Sequence, residues 1–210
     1  MPGDEGEPPI ADQYYSERPR SPSARHRLRF LYRGRILTFV VDRGVFAASA
    51  LDPGTALLIE TLDPAPDAAV LDLGCGWGAV GAAAACAAPR GRVVLVDVNR
   101  RAASLARLNL ASNELANAEV RVGSLYGPVA GERFDLLVSN PPYRAGRPLV
   151  LALLEGADAH LVPGGRLLLV GKGSQGILYY QRWLQDHWGA DRVEVLARRS
   201  GYRVVAARKG

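Results

Sequence analysis

From about residue 67 onward the chain alternates short apolar, β-branched runs with helical stretches, and this alternation leaves few folds open. The runs are 68–73 (AAVLDL), 92–98 (RVVLVDV), 118–123 (AEVRVG), 133–139 (RFDLLVS), 166–170 (RLLLV), 191–197 (DRVEVLA) and 201–208 (GYRVVAAR). Helical patterns fall between them at about 79–88, 99–113, 147–160 and 174–187. Strands this apolar fit a parallel sheet covered on both faces. The last two runs are joined only by the short link from Arg198 to Gly201. A right-handed crossover needs a dozen or more residues, so this final pair is expected to be antiparallel. The fold class is therefore α/β, with seven strands of which the last is antiparallel. No internal repeat is visible.

The first third reads differently. Residues 1–22 carry Pro, Gly, Ser and charge with little to bury, which predicts a flexible tail, with Tyr14 and Tyr15 as candidates to dock on the body. Residues 26–32 (HRLRFLY) and 35–41 (RILTFVV) flank Arg33-Gly34 and predict a small β-hairpin. Asp52-Pro53 suits a helix start, continued from Ala56 to Leu62. The expected organisation is a tail at 1–22, a hairpin and lead-in helix at 23–66, and a cofactor-binding catalytic domain at 67–210. Apolar residues make up 48% of the 210, enough for a full core. No apolar run reaches the roughly 18 residues of a membrane span. The acidic, Pro/Gly-rich start does not read as a secretory signal. With only Cys75 and Cys86, no disulfide framework is expected, and the cytoplasm is the expected compartment. The three histidines are isolated, so no metal site is expected.

Two loops carry the chemistry. The first apolar run ends in Asp72-Leu73-Gly74-Cys75-Gly76-Trp77-Gly78, and the second ends in Asp97. Glycines at such a turn let a ligand approach the backbone at a helix N-terminus. An acid at the end of the second strand can accept both hydrogen bonds of a ribose diol. Gly76, Gly78 and Gly81 also spell the dinucleotide pattern G-x-G-x-x-G, so a nicotinamide cofactor is the competing expectation. Asp72 argues against it: a carboxylate there repels a pyrophosphate and attracts an ammonium such as that of a methionine moiety. The fourth run ends in Ser139-Asn140-Pro141-Pro142-Tyr143. Two prolines fix the backbone and remove two N–H donors. The Asn140 side-chain oxygen and the Pro141 carbonyl can then accept both hydrogens of a conjugated NH2 group. That favours the pyramidal nitrogen needed for attack on a methyl sulfonium, while Tyr143 can stack on a planar substrate. Cys75, Trp183 and Trp188 are expected to pack, and Trp77, beside the glycine loop, either packs or flanks the ligand.

The Asp-x-Gly-x-Gly-x-Gly loop resembles motif I of class I methyltransferases, and Asn140-Pro141-Pro142-Tyr143 resembles motif IV of those that act on amino groups. Gly44-Val45-Phe46, Leu51-Asp52-Pro53-Gly54-Thr55 with Leu57-Leu58, the stretch 140–147 and Gly201-Tyr202-Arg203-Val204 are similar to short, single-domain members of the small-subunit (16S) rRNA guanine-N2 methyltransferase family. The resemblance implies a Rossmann-like class I methyltransferase sheet with an N-terminal β-hairpin extension, and S-adenosyl-L-methionine as cofactor. It implies cofactor contacts at Thr55, Asp72, Gly74, Gly76, Asp97, Val98, Ser124, Leu125 and Asn140, and catalysis by Asn140, Pro141, Pro142 and Tyr143. Ser124 stands where many relatives carry an acid for the adenine amino group, and Tyr143 where the rRNA enzymes often carry Phe. The long relatives' duplicated N-terminal domain has no counterpart here. A monomer acting on rRNA or the small ribosomal subunit is expected. Arg144, Arg147 and Lys172 are candidates for substrate phosphate. The net charge of +5 fits an anionic partner, as does the cluster Arg18, Arg20, Arg25, Arg27, Arg29, Arg33 and Arg35, whose alternating members would share one strand face. Two other functions stay open at this point: a protein glutamine methyltransferase, favoured by Tyr143, and a non-catalytic cofactor-binding RNA accessory protein.

Overall fold

The computed structural model describes residue 17 and residues 23–43, 45–47 and 50–210. Tyr14, Tyr15, Arg18, Arg20 and Gly44, with nearly all of the expected tail, lie outside the described residues. Strands β1 (His26–Tyr32) and β2 (Arg35–Val41) form an antiparallel hairpin in which Tyr32 faces Arg35. Then follow α1 (Pro53–Glu60), β3 (Ala69–Leu73), α2 (Ala79–Ala87), β4 (Arg92–Asp97), α3 (Arg100–Ser112), β5 (Ala118–Val122), β6 (Phe134–Ser139), α4 (Arg147–Ala157), β7 (Leu161–Lys172), α5 (Ile177–Trp188), β8 (Val193–Arg199) and β9 (Tyr202–Arg208). The main sheet has seven strands in the order β5-β4-β3-β6-β7-β9-β8, with β9 antiparallel to both neighbours.

Strand residues alternate between two cores, as the two-residue period of a strand requires. Val70, Leu95, Leu136, Leu168 and Val204 face the hairpin and α1, α2 and α3. Leu71, Val94, Leu137, Leu167 and Val205 face α4 and α5. The alanines of α2 are buried, and Gly81 has no room for a Cβ, which would sit 2.3 Å from the Leu95 side chain. Small residues along this helix are what let it lie close on β4.

Some bounds differ from expectation. β7 begins at Leu161 rather than 166, because Pro163-Gly164-Gly165 forms an irregularity within the strand, where the pairing with β6 shifts between Phe134 and Leu136. α5 begins at Ile177 rather than 174: residues 173–175 form a 3-10 turn and Gly176 takes a left-handed φ of 86°.

The hairpin is tied to the body through α3. Thr38 N–H donates to Asn113 Oδ1 at 2.9 Å and Asn113 Nδ2 donates back to the Thr38 carbonyl at 2.7 Å. One turn earlier, Val40 N–H donates to Asn109 Oδ1 at 2.7 Å and Asn109 Nδ2 donates back to the Val40 carbonyl at 2.9 Å. Two amides four residues apart on a helix thus supply the donors and acceptors of a neighbouring strand. On the hairpin's inner face Phe30 stacks on Phe39, and Phe39 meets the Trp77 ring edge-on. Of the described arginines in this cluster, Arg27 and Arg29 alternate along β1 and share its exposed outer face, as expected; the others lie elsewhere. Arg25 lies 3.8 Å from Asp42, Arg33 donates to the Leu62 carbonyl, and Arg35 donates to the Asn113 carbonyl.

Candidate active site

The parallel strands β3 to β7 all end at one edge of the sheet, and the loops leaving them enclose a cavity. Its lining includes Gly74 and Gly76, Asp97 and Val98, Ser124 and Leu125, and Asn140, Pro141 and Pro142. Sequence reasoning placed all of these in the site. Thr55, Asp72 and Tyr143, and the basic residues Arg144, Arg147 and Lys172, are not part of that lining.

The glycine loop is an open cradle. Gly74 and Gly76 have φ of 74° and 56°, and a Cβ built on either would meet nothing within 4 Å. A ligand can therefore reach the backbone directly. Asp97 stands at its side. Its Oδ2 accepts from Gly76 N–H at 2.8 Å and its Oδ1 from Asn99 N–H at 2.8 Å. Burial pushes its carboxyl up, while these two bonds pull it down. A carboxylate has about four lone-pair sites, so both oxygens keep capacity for a ribose diol. Asn99 also caps α3, accepting from Arg101 and Ala102 N–H. Loop, acid and helix start are thereby fixed together. Leu125 holds φ at 47°, an uncommon conformation for a leucine, at the wall of the cavity.

Asp72 lies behind the cradle, not in it. Its Oδ2 accepts from Gly81 N–H at 2.8 Å in the first turn of α2, and burial pushes its carboxyl up to about 7. Any attraction for an ammonium would act through the loop. Cys75 is buried and its thiol is pushed well up by burial, so it is no nucleophile. Trp77 donates from Nε1 to the Phe46 carbonyl at 3.1 Å and is structural.

The loop after β6 is locked from three directions. Ser139 Oγ donates to the Leu73 carbonyl at 2.7 Å, joining the ends of β6 and β3. Pro142 has φ −75° and ψ 78°, an inverse γ-turn closed by Tyr143 N–H donating to the Pro141 carbonyl at 2.9 Å. One lone pair of that carbonyl is thus used and one is left. Asn140 Nδ2 donates to Thr55 Oγ1 at 3.0 Å and to Asp52 Oδ2 at 3.2 Å. Thr55 therefore meets Asn140 and does not line the cavity. Tyr143 differs from expectation most. Its hydroxyl donates to the Val170 carbonyl at 2.7 Å and its ring lies against Tyr180. Gly171 makes the space, since a Cβ there would lie 2.4 Å from the hydroxyl. Tyr143 thus anchors the loop through its hydroxyl.

Arg144 and Arg147 follow this loop and are exposed, with the Arg147 guanidinium 4.6 Å over the Tyr179 ring. Lys172 Nζ lies 4.6 Å over the Tyr202 ring. Sequence reasoning missed several apolar walls: Ala102 from α3, Leu149 and Leu153 from α4, and also Gln175. Only the position of α4 just after the Asn-Pro-Pro loop signalled the leucines. Val45 and Phe46, which also line the cavity, were marked only by family resemblance.

YbxB of Bacillus subtilis, described as uncharacterized, is 32% identical over 202 residues, covering 95% of this chain and 100% of the relative. A ribosomal RNA small subunit methyltransferase C of Pasteurella multocida is 38% identical over 169 residues, 79% of this chain and 49% of the relative. The chain thus spans about half the length of its matched rRNA methyltransferase relatives. A T. thermophilus 16S rRNA N2 methyltransferase, solved in complex with AdoMet and guanosine, superposes with a TM-score of 0.78 at 30% identity, over 90% of this chain and 52% of that one. With the methyltransferase small domain matching residues 36–206, the chain belongs to that family.

Proposed function

We propose that this chain is an S-adenosylmethionine-dependent N-methyltransferase that acts on guanine N2 of 16S rRNA. The observation that carries the proposal is the meeting, in one cavity, of the open Gly74/Gly76/Asp97 cradle and the Asn140-Pro141-Pro142 turn. The guanosine in the T. thermophilus relative supports the substrate. S-adenosylmethionine, when bound, supplies an electrophilic methyl group. Gly74 and Gly76 would hold it through backbone, Asp97 through the ribose diol, and Val98, Ser124 and Leu125 around the base.

The substrate amine is a poor nucleophile because its lone pair is delocalised into the ring. Asn140 Oδ1 and the free lone pair of the Pro141 carbonyl accept hydrogen bonds from its two N–H groups and favour the pyramidal nitrogen, which, once methylated and cationic, loses one proton to solvent. Pro142 holds the turn and Tyr143 anchors it. Asp72 acts from behind the loop, and Thr55 acts through Asn140. Arg144, Arg147 and Lys172 meet substrate phosphate. Residues 23–66 serve as a hairpin and lead-in helix for the catalytic domain at 67–210. The partner is rRNA or the small ribosomal subunit, met in the cytoplasm by a monomer. Among the described residues no helix is long and apolar enough to cross a membrane.

The test is transfer of tritiated methyl from S-adenosylmethionine to total RNA, ribosomal subunits and cell protein from a strain lacking the gene, followed by digestion to nucleosides. Label in N2-methylguanosine from small-subunit RNA is expected. Label only in protein would reassign the enzyme to glutamine. No label with cofactor bound would leave a non-catalytic accessory protein.

A further inference from the structure

Asp52 is more than the start of a helix. Its Oδ2 accepts from Thr55 N–H at 2.9 Å, the ordinary cap of α1. The same oxygen accepts from Asn140 Nδ2 at 3.2 Å, across 88 residues of sequence. Its Oδ1 accepts from the Tyr202 hydroxyl at 3.0 Å, across 150. Burial, and then the charge of Asp52, push that hydroxyl up to about 12, so it stays a donor. Gly54 lets the ring come this close, since a Cβ there would lie 2.6 Å from it.

A side-chain amide has two ends of nearly equal shape, and only its partners decide which way it points. An ionised carboxylate accepts and cannot donate. With Asp52 and Thr55 both taking hydrogens from Nδ2, the NH2 end of Asn140 is committed away from the cavity, and Oδ1 accepts no hydrogen bond among the described residues. The opposite flip would set Oδ1 against a carboxylate and turn donors toward an incoming NH2 group.

We propose that Asp52 is the positioning residue of the reacting amide: from the N-terminus of α1 and braced by Tyr202, it holds Asn140 with its oxygen toward the substrate. This rests on the function proposed above. The carboxylate itself does not meet the substrate, so it acts on turnover and little on binding.

The test uses the full chain with tritiated S-adenosylmethionine and small-subunit RNA. Asp52→Ser keeps a good helix cap but is too short to reach both Asn140 and Tyr202. Its kcat should fall by about tenfold or more, with KM for RNA and the cofactor dissociation constant changed less than about twofold. The exchange of the pair gives a second reading. Asn140→Asp alone sets two carboxylates against each other and should abolish most turnover. Adding Asp52→Asn restores one donor and one acceptor between them, and should recover about tenfold over the single variant. Asp52→Ser with unchanged kcat, or an exchanged pair no better than Asn140→Asp, would overturn the proposal. If the wild type methylates no RNA, the function proposed above fails instead. The Asn140 side-chain NH2 signals in a 15N NMR spectrum then decide the role of Asp52 alone. Their exchange with solvent should speed about tenfold in Asp52→Ser, and an unchanged rate would refute the contact.

Discussion

A carboxyl group whose titration is pushed up to neutral pH leaves a mark on stability. Asp72 is fully enclosed and raised to about 7 by burial, against an ordinary value of 3.8. Between those limits the folded chain holds a proton that the unfolded chain releases, so this group's contribution to stability is lost as pH rises from about 4 to about 7. Asp72→Asn keeps an acceptor for Gly81 N–H and has nothing to titrate. Thermal unfolding of the two proteins should diverge with pH, with the variant gaining on the wild type by a few kcal/mol between about pH 4 and pH 7. A constant offset would mean that Asp72 is ionised throughout. Asn140 is tested by kinetics. Asn140→Ala should lower turnover by roughly a hundredfold or more with cofactor affinity kept, and equal activity would remove the amide from the mechanism. At this scale the sequence shows residue types and spacing but not direction. Asp72 and Thr55 sit within recognisable motifs, yet one faces the first turn of α2 and the other faces Asn140. Tyr143 was read as a platform because it follows the prolines. What makes room for its hydroxyl against the Val170 carbonyl is Gly171, 28 residues later, which no local pattern connects to it.

Elements are where sequence reading went furthest. The hairpin bounds 26–32 and 35–41 follow from a two-residue period broken by Arg33-Gly34, and the structure has them unchanged. The antiparallel β9 follows from a link too short for a crossover. β7 and α5 were misplaced at their first residues because glycine ends a pattern without saying whether the chain bulges or turns. How the hairpin docks was not legible. Asn109 and Asn113 read as ordinary polar helix residues, yet Asn109 is 0% exposed and satisfies the Val40 N–H, the Val40 carbonyl and the Trp77 carbonyl. Asn109→Ala leaves the buried Trp77 carbonyl and the partly buried Val40 groups unpaired, at about 1–3 kcal/mol each where no water enters. The loss of stability should exceed about 2 kcal/mol, and amide exchange at Val40 should accelerate with it. Leu108→Ala, on the exposed side of the same helix, should stay within about 0.5 kcal/mol. Were the two variants equally stable, the amide pair would not be what holds the hairpin.

Across the whole molecule, charge is the property that bears on the proposed substrate. A net charge of +5 draws any polyanion, so binding to RNA alone says little about which surface is used. The salt dependence of binding is more informative, because each phosphate neutralised releases a counterion. Three cations follow the segments that build the cavity, and two of them rest on aromatic rings, Arg147 over Tyr179 and Lys172 over Tyr202. A stacked cation has lost part of its freedom before the ligand arrives, which lowers the entropy cost of a phosphate contact. The combined variant Arg144→Ala, Arg147→Ala, Lys172→Ala should therefore weaken binding of small-subunit RNA and reduce the slope of log K against log salt by about 2. Arg27→Ala with Arg29→Ala, on the outer face of the hairpin, offers the comparison. A loss of slope confined to the first set places phosphate on these three residues, and equal losses extend the RNA path along the hairpin. If neither set changes the slope, these cations are solvated surface and the RNA is held elsewhere. Because phosphate contacts position the strand and do not read it, the guanine preference of any remaining activity should be unchanged in both sets.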